Sequence, residues 1–219
     1  MMHGWTPRAR RTRRIDLIMF DQLSRSFMFK AFRSELVAAF GSDASARIWR
    51  NANALHGELL HTHPDLDSAS KMMVLPAAAL YLALKEEAPE QALPMLKAYG
   101  ARTGERIAQI IHRVTSIPGI PVLLWRNMPR LMRSMSSPEK GYSRRIVSES
   151  HELVGVDILS CPLYDAAVTL GVPEAAQVTC AIDKACMTGF KHIRYTRTTS
   201  VAEGAECCDY RLSYDPNKL

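Results

Sequence analysis

Apolar positions recur with a helical period from residue 15 to residue 135, and the pattern then changes to alternation broken by short helical runs. Phe20, Leu23, Phe27 and Ala31 mark one face of a first predicted helix. Ala44, Ile48, Ala52, Leu55 and Leu59 mark a second, with Ser42 or Asp43 as its N-cap. Residues 72–87 are apolar on every side, so this third helix is predicted to be central. A fourth carries Leu93, Leu96, Gly100, Thr103, Ile107, Ile110 and Val114 on one stripe and ends near Pro118-Gly119. The fifth, 122–135, sets Leu124, Met128, Leu131, Met132 and Met135 against Arg126, Arg130 and Arg133, and Pro129 is a candidate kink. Its arginine side reads as the solvated outside of a packed helix, ahead of a membrane-surface reading.

Residues 136–141, Ser-Ser-Pro-Glu-Lys-Gly, form a predicted linker. Beyond it, 142–150 and 153–159 read as strands joined at His151-Glu152. Residues 162–170 and 173–188 read as helices opened by Pro162 and Pro173 and stopped by Gly171 and Gly189. Residues 192–202 and 206–214 read as a hairpin around Glu203-Gly204. A two-residue turn there pairs Arg197 with Tyr210 and Thr199 with Cys208. Ile193, Tyr195, Arg197, Thr199 and Val201 then fall on the apolar face, and Ser200 and Cys207 on the wet one. The fold class expected is α+β: an N-terminal helical region (15–135) packed on a C-terminal mixed α/β part (142–214) with an antiparallel sheet. Residues 1–14 form a basic tail, and 15–219 can equally be one integrated domain.

The net charge of +6 looks like a nucleic-acid signal until it is located. Arg8, Arg10, Arg11, Arg13 and Arg14 supply +5 of it, leaving +1 for the rest, so the basic character belongs to a tail and not to a binding face. The expected partners are a small-molecule substrate and a second copy of the chain, with no nucleic acid and no membrane. No apolar run follows the arginines as in a secretory signal, and the longest apolar stretch, 72–84, is too short for a span. Five cysteines, with Cys207 and Cys208 adjacent, fit reduced thiols in the cytoplasm better than a disulfide framework.

Cys161 stands immediately before Pro162, at the seam between a strand and a helix. Proline favours the first helical position, so Cys161 falls at or next to the N-cap. Its sulfur then faces free N–H groups and the positive end of the helix dipole, which favours thiolate. Arg197 on an apolar face needs an anion: Asp157 or Asp183 within the protein, or a substrate carboxylate. Ala176, Cys180, Asp183 and Met187 share one helix face. Cys180 there reads as a small core residue, whereas Asp183 must find a donor. His61 and His63, at a helix end before Pro64, read as capping or exposed side chains.

Four stretches carry a resemblance: LPAAALYLAL (75–84), CPLYDAAVTLGVPE (161–174), TCAID (179–183) and YTRTTSVAEGAECCDYRL (195–212). Together they resemble the L-2-amino-thiazoline-4-carboxylic acid hydrolase family, with Tyr195 and Tyr210 standing where phenylalanine is common. The resemblance implies ring opening of a cyclic isothiourea bearing a carboxylate, on the way to L-cysteine. The expected roles are Cys161 as nucleophile, His151 or Asp183 as general base or acid, and Arg197 on the substrate carboxylate. Asp183 can alternatively hold the amidine-like nitrogens, and Tyr164 and Tyr210 complete the substrate-binding set. No cofactor is required on this route. A competing route uses water on zinc or another divalent metal, with Cys161, Cys180 and Cys208 as candidate ligands. Gly204, Cys208 and Tyr210 also resemble small-molecule-binding domains named after vinyl reductase, which implies a sensor or carrier as the alternative function. Ser200 and Arg197 stand where those domains place a cysteine and an acidic ligand.

Overall fold

The computed structural model describes residues 21–218. The basic stretch 8–14, the sequence-expected start of the first helix and Phe20 lie outside the described residues. Helix α1 spans Phe32–Thr62, α2 Ser68–Glu87, α3 Pro89–Thr115 and α4 Ile120–Met135. Then follow strands β1 (Ser143–Glu149) and β2 (Leu153–Ser160), helices α5 (Pro162–Thr169) and α6 (Ala175–Cys186), and strands β3 (Ile193–Thr196) and β4 (Cys208–Tyr214). Helices dominate the first part and a four-stranded antiparallel sheet, ordered β1-β2-β4-β3, the second, so the fold is α+β as expected.

One expectation fails at the start. Between residues 21 and 31 there is one 3-10 turn, Leu23–Arg25, and no α-helix. Leu23 is buried, but Phe27 is 76% exposed and Ala31 lies at the N-terminal boundary of α1. The second expected helix does begin at Ser42, after Gly41 (φ 76°, ψ 174°) breaks the chain between two helical segments; the segment 32–40 before it is an additional helical run.

Helix α2 is buried on nearly every side, as its composition requires. Its start is fixed by Asp67, whose carboxylate accepts from the N–H groups of Ala69 (2.8 Å) and Ser70 (3.0 Å). Two apolar clusters fill the molecule. One gathers α1, α2, α3, α5 and α6 around Phe29, Leu75, Leu80 and Tyr99; the other gathers Met128 and Met132 of α4 with Val154, Val156, Ile158 and Leu212 of the sheet. Helices α3 and α6 meet closely at two glycines. A Cβ on Gly100 would lie 2.7 Å from the carbonyl oxygen of Val178, and one on Gly104 would lie 2.7 Å from Ala185 Cβ and nearer still to the carbonyl of Ile182.

The hairpin register is the one expected: Thr196 pairs with Arg211, Tyr195 with Leu212 and Ile193 with Tyr214. Pairing stops at Thr196, however, and 197–207 is a loop with a turn at Val201–Glu203 and Gly204 at φ 88°. The expected alternation therefore fails there. Ser200, expected to be wet, is buried, and Thr199, expected on the apolar face, is exposed. Asp209 holds the loop by accepting from the N–H and hydroxyl of both Thr198 and Thr199.

Candidate active site

A cavity of about 220 Å3 opens at the seam between the two apolar clusters. Met73, Leu163, Tyr164, Ala176 and Cys180 wall it from the helical side; Tyr142, Ile158, Cys161, Cys208 and Tyr210 wall it from the sheet side. Asp183 and Arg197 complete the polar part of the lining.

Cys161 occupies the N-cap of α5, with extended backbone (φ −127°, ψ 119°) and Pro162 at the first helical position. The expected consequence for its acidity is reversed. Burial pushes its pKa above the ordinary thiol value, and the N–H groups of Leu163 and Tyr164 oppose this only in part. The desolvation cost of a thiolate in this wall exceeds what two helix N–H groups return.

On α6, Asp183 accepts from the Tyr210 hydroxyl at 2.6 Å and from Arg197 Nη1 at 3.1 Å, both at Oδ2. Arg197 Nη1 also donates to the Tyr210 hydroxyl (3.1 Å) and Nη2 to the carbonyl of Cys180 (3.0 Å). The three side chains form a closed triangle. Arg197, 7% exposed, therefore has its protein anion in Asp183. The other candidate, Asp157, lies on the opposite face of the sheet pair with Arg145 and Arg211. Three of the guanidinium's five N–H groups are used, so two remain without a partner among the described residues. Burial raises the Asp183 pKa against the Tyr210 hydrogen bond and the Arg197 charge, and burial likewise pushes Tyr210 up. About a third of the Asp183 side chain stays open (35%), on the cavity side, and its Oδ1 makes no hydrogen bond among the described residues.

Cys180 and Cys208 flank the buried hydroxyl of Ser200 at 3.8 and 3.9 Å. Burial pushes Cys180 up to about 12, so its thiol is inert at neutral pH. All three candidate metal ligands line the cavity, yet among the described residues no group of three or more His, Cys, Asp or Glu side chains converges on a metal position. This geometry gives the metal route no ligand set.

His151 does not line this cavity. It is exposed in the turn before β2, and its carbonyl accepts from Trp125 Nε1. The eight residues of β2 separate it from Cys161 by roughly 26 Å of extended chain. Tyr164 and Tyr210 both line the cavity. Tyr142 was not singled out as a site residue from the sequence, and Ser200, expected on the wet face, is buried beside the two thiols. Tyr142 reaches the site because Gly141, at φ 84°, packs against Pro162 (3.3 Å from a Cβ position to the proline ring). A glycine closing a linker is a visible signal, but its contact partner is not.

The family model described as L-2-amino-thiazoline-4-carboxylic acid hydrolase matches residues 68–212, well over half of the chain. The chain belongs to that family. The match runs from the first turn of α2 to the middle of β4, so every residue named in the cavity wall of this hydrolase-family member falls within it. No curated protein matches the chain.

Proposed function

We propose that this member of the L-2-amino-thiazoline-4-carboxylic acid hydrolase family opens the ring of L-2-amino-Δ2-thiazoline-4-carboxylate to N-carbamoyl-L-cysteine, in L-cysteine formation in the cytoplasm. The observation that carries the reading is the convergence of Cys161, Asp183 and Arg197 on one small cavity within the matched region. The open side of Asp183 complements the donor nitrogens of a cyclic isothiourea, and the two spare N–H groups of Arg197 complement its carboxylate. A protonated substrate placed against Cys161 lowers the cost of thiolate there, which offsets the burial that raises the free thiol's pKa. Asp183 takes the thiol proton as the Cys161 sulfur adds to the ring carbon between nitrogen and sulfur, and the carbon–sulfur ring bond then breaks. Its electron pair leaves on the substrate sulfur, to which Asp183 returns that proton. Water next adds to the same carbon, Asp183 accepts its proton, and the Cys161 sulfur departs as thiolate, leaving the carbamoyl group on nitrogen.

The raised Cys161 pKa favours one further reading, in which Asp183 activates water directly and the thiol only binds. Incubation with the thiazoline carboxylate, with the product read by mass and by free-thiol assay, tests both activity and route. A free thiol equal to product identifies carbon–sulfur cleavage, whereas product without it indicates S-carbamoyl-L-cysteine. Cys161→Ser abolishes turnover on the covalent route and keeps it on the water route. Tight binding without turnover would leave the carrier function instead.

A further inference from the structure

The corner between α3 and α4 gathers exposed apolar and basic side chains. The two helices meet at 117° around Pro118-Gly119. Five large apolar side chains near this corner are about half exposed: Ile110 (56%), Val114 (53%), Ile117 (55%), Val122 (44%) and Leu123 (59%). Ile110 and Val114 lie on the last turns of α3, Ile117 in the turn that follows it, and Val122 and Leu123 in the first turn of α4. No acidic residue occurs from 106 to 138, while Arg106, Arg113, Arg126, Arg130 and Arg133 fall within that stretch. Only Arg133 has a carboxylate partner among the described residues, Glu149. Helix α4 itself buries only Pro121, Met128 and Met132. This is more than the solvated arginine face expected from the sequence, because apolar side chains remain uncovered beside the charges.

We propose that this corner is a docking surface for an anionic phospholipid bilayer, with the apolar side chains entering the interface and the arginines meeting the headgroups. An apolar tip rimmed by unpaired cations is the composition of an interfacial anchor. A two-fold contact between copies would bring together two surfaces that each carry Arg106, Arg113, Arg126 and Arg130 without a carboxylate partner among the described residues, so charge opposes a second copy as the occupant. No helix among the described residues is long and apolar enough to cross a membrane by itself, so the contact lies on the surface of the bilayer.

The test is co-sedimentation of the full chain with vesicles of phosphatidylserine and phosphatidylcholine, against phosphatidylcholine alone. Binding to the anionic vesicles, weakened by added salt, is expected. Arg126→Ser with Arg130→Ser should weaken it roughly 25-fold, at about fivefold per charge. Ile117→Ser with Leu123→Ser should weaken it at least tenfold, with circular dichroism and thermal melting unchanged because these side chains are exposed. Failure to sediment with either vesicle overturns the proposal. So does binding that survives both double variants and disappears when Arg8, Arg10, Arg11, Arg13 and Arg14 become serine. A concentration-dependent dimer that Ile117→Ser with Leu123→Ser dissolves, without vesicle binding, assigns the corner to a second copy. None of these outcomes depends on the hydrolase activity.

Discussion

Replacing Gly104 with alanine tests whether the contact between α3 and α6 positions the site. A Cβ at this position would lie 2.7 Å from Ala185 Cβ, against an ordinary carbon–carbon contact of roughly 3.5–4.0 Å, so the helices must part by about 1 Å. The obstructing atoms include backbone of Ile182 and Cys186, which cannot swing aside as a side chain does. Overpacking of this kind costs about 1–3 kcal/mol, and rigid neighbours put Gly104→Ala near about 3. Alanine returns about 1 kcal/mol through its helix preference, leaving a net loss of about 2. In a chain of this size that lowers the melting temperature by roughly 4–8 °C. Gly57 is the control: it lies inside α1 with nothing within 4 Å of a Cβ, so Gly57→Ala should gain up to about 1 kcal/mol. Asp183 sits between Ile182 and Ala185 on the displaced helix, so turnover of the thiazoline carboxylate should fall roughly a hundredfold in Gly104→Ala. Paired thermal melts and steady-state rates read both effects. Equal stability of Gly104→Ala and Gly57→Ala would refute the close-packing argument.

Four further outcomes are expected. Cys161→Ser should melt within a degree or two of the parent and show no product by mass, because Cys161 is only partly buried. In Tyr210→Phe, Asp183 loses a hydrogen bond that lowers its pKa, so the acid limb of the rate profile should move to higher pH; an unmoved limb would remove Asp183 from the proton-transfer role. His56 is buried, and desolvation lowers its pKa to about 4. The unfolded chain then binds the extra proton first, and stability is lost as pH falls from about 6.5 toward 4, by about 3 kcal/mol, a slope that urea titrations should find flattened in His56→Gln. Asp67→Ala removes the two N-cap hydrogen bonds of α2 and should cost about 1 kcal/mol in the same titrations.

Period and punctuation carried much of this fold. The stripe through Gly100, the all-apolar run of α2 and the Cys161-Pro162 junction each express one local rule, and each element formed where that rule places it. The hairpin register followed from Glu203-Gly204, but its length did not. Asp209 offers the loop at Thr198 and Thr199 four hydrogen bonds that compete with further strand pairing, and that competition is tertiary. Leu23, Phe27 and Ala31 keep a helical spacing in a segment that does not become helical, so spacing alone misled there. In the site, Cys161, Asp183 and Arg197 were readable because a capped thiol and two charges on apolar faces are local anomalies. His151 lies away from the cavity, and nothing local in the sequence tells which end of a strand faces one. The acidity of Cys161 was misjudged because helix ends are visible in sequence and burial is not.

The cavity is the mortar line of the molecule. On one side stand helical side chains, on the other the sheet, and the Asp183–Tyr210–Arg197 triangle ties across the joint. Whatever fills that gap touches both masonry courses at once, so a bound guest cements them as well as being held by them. Saturating ligand should slow amide exchange in α6 and β4 together, and the free protein should open along this line first.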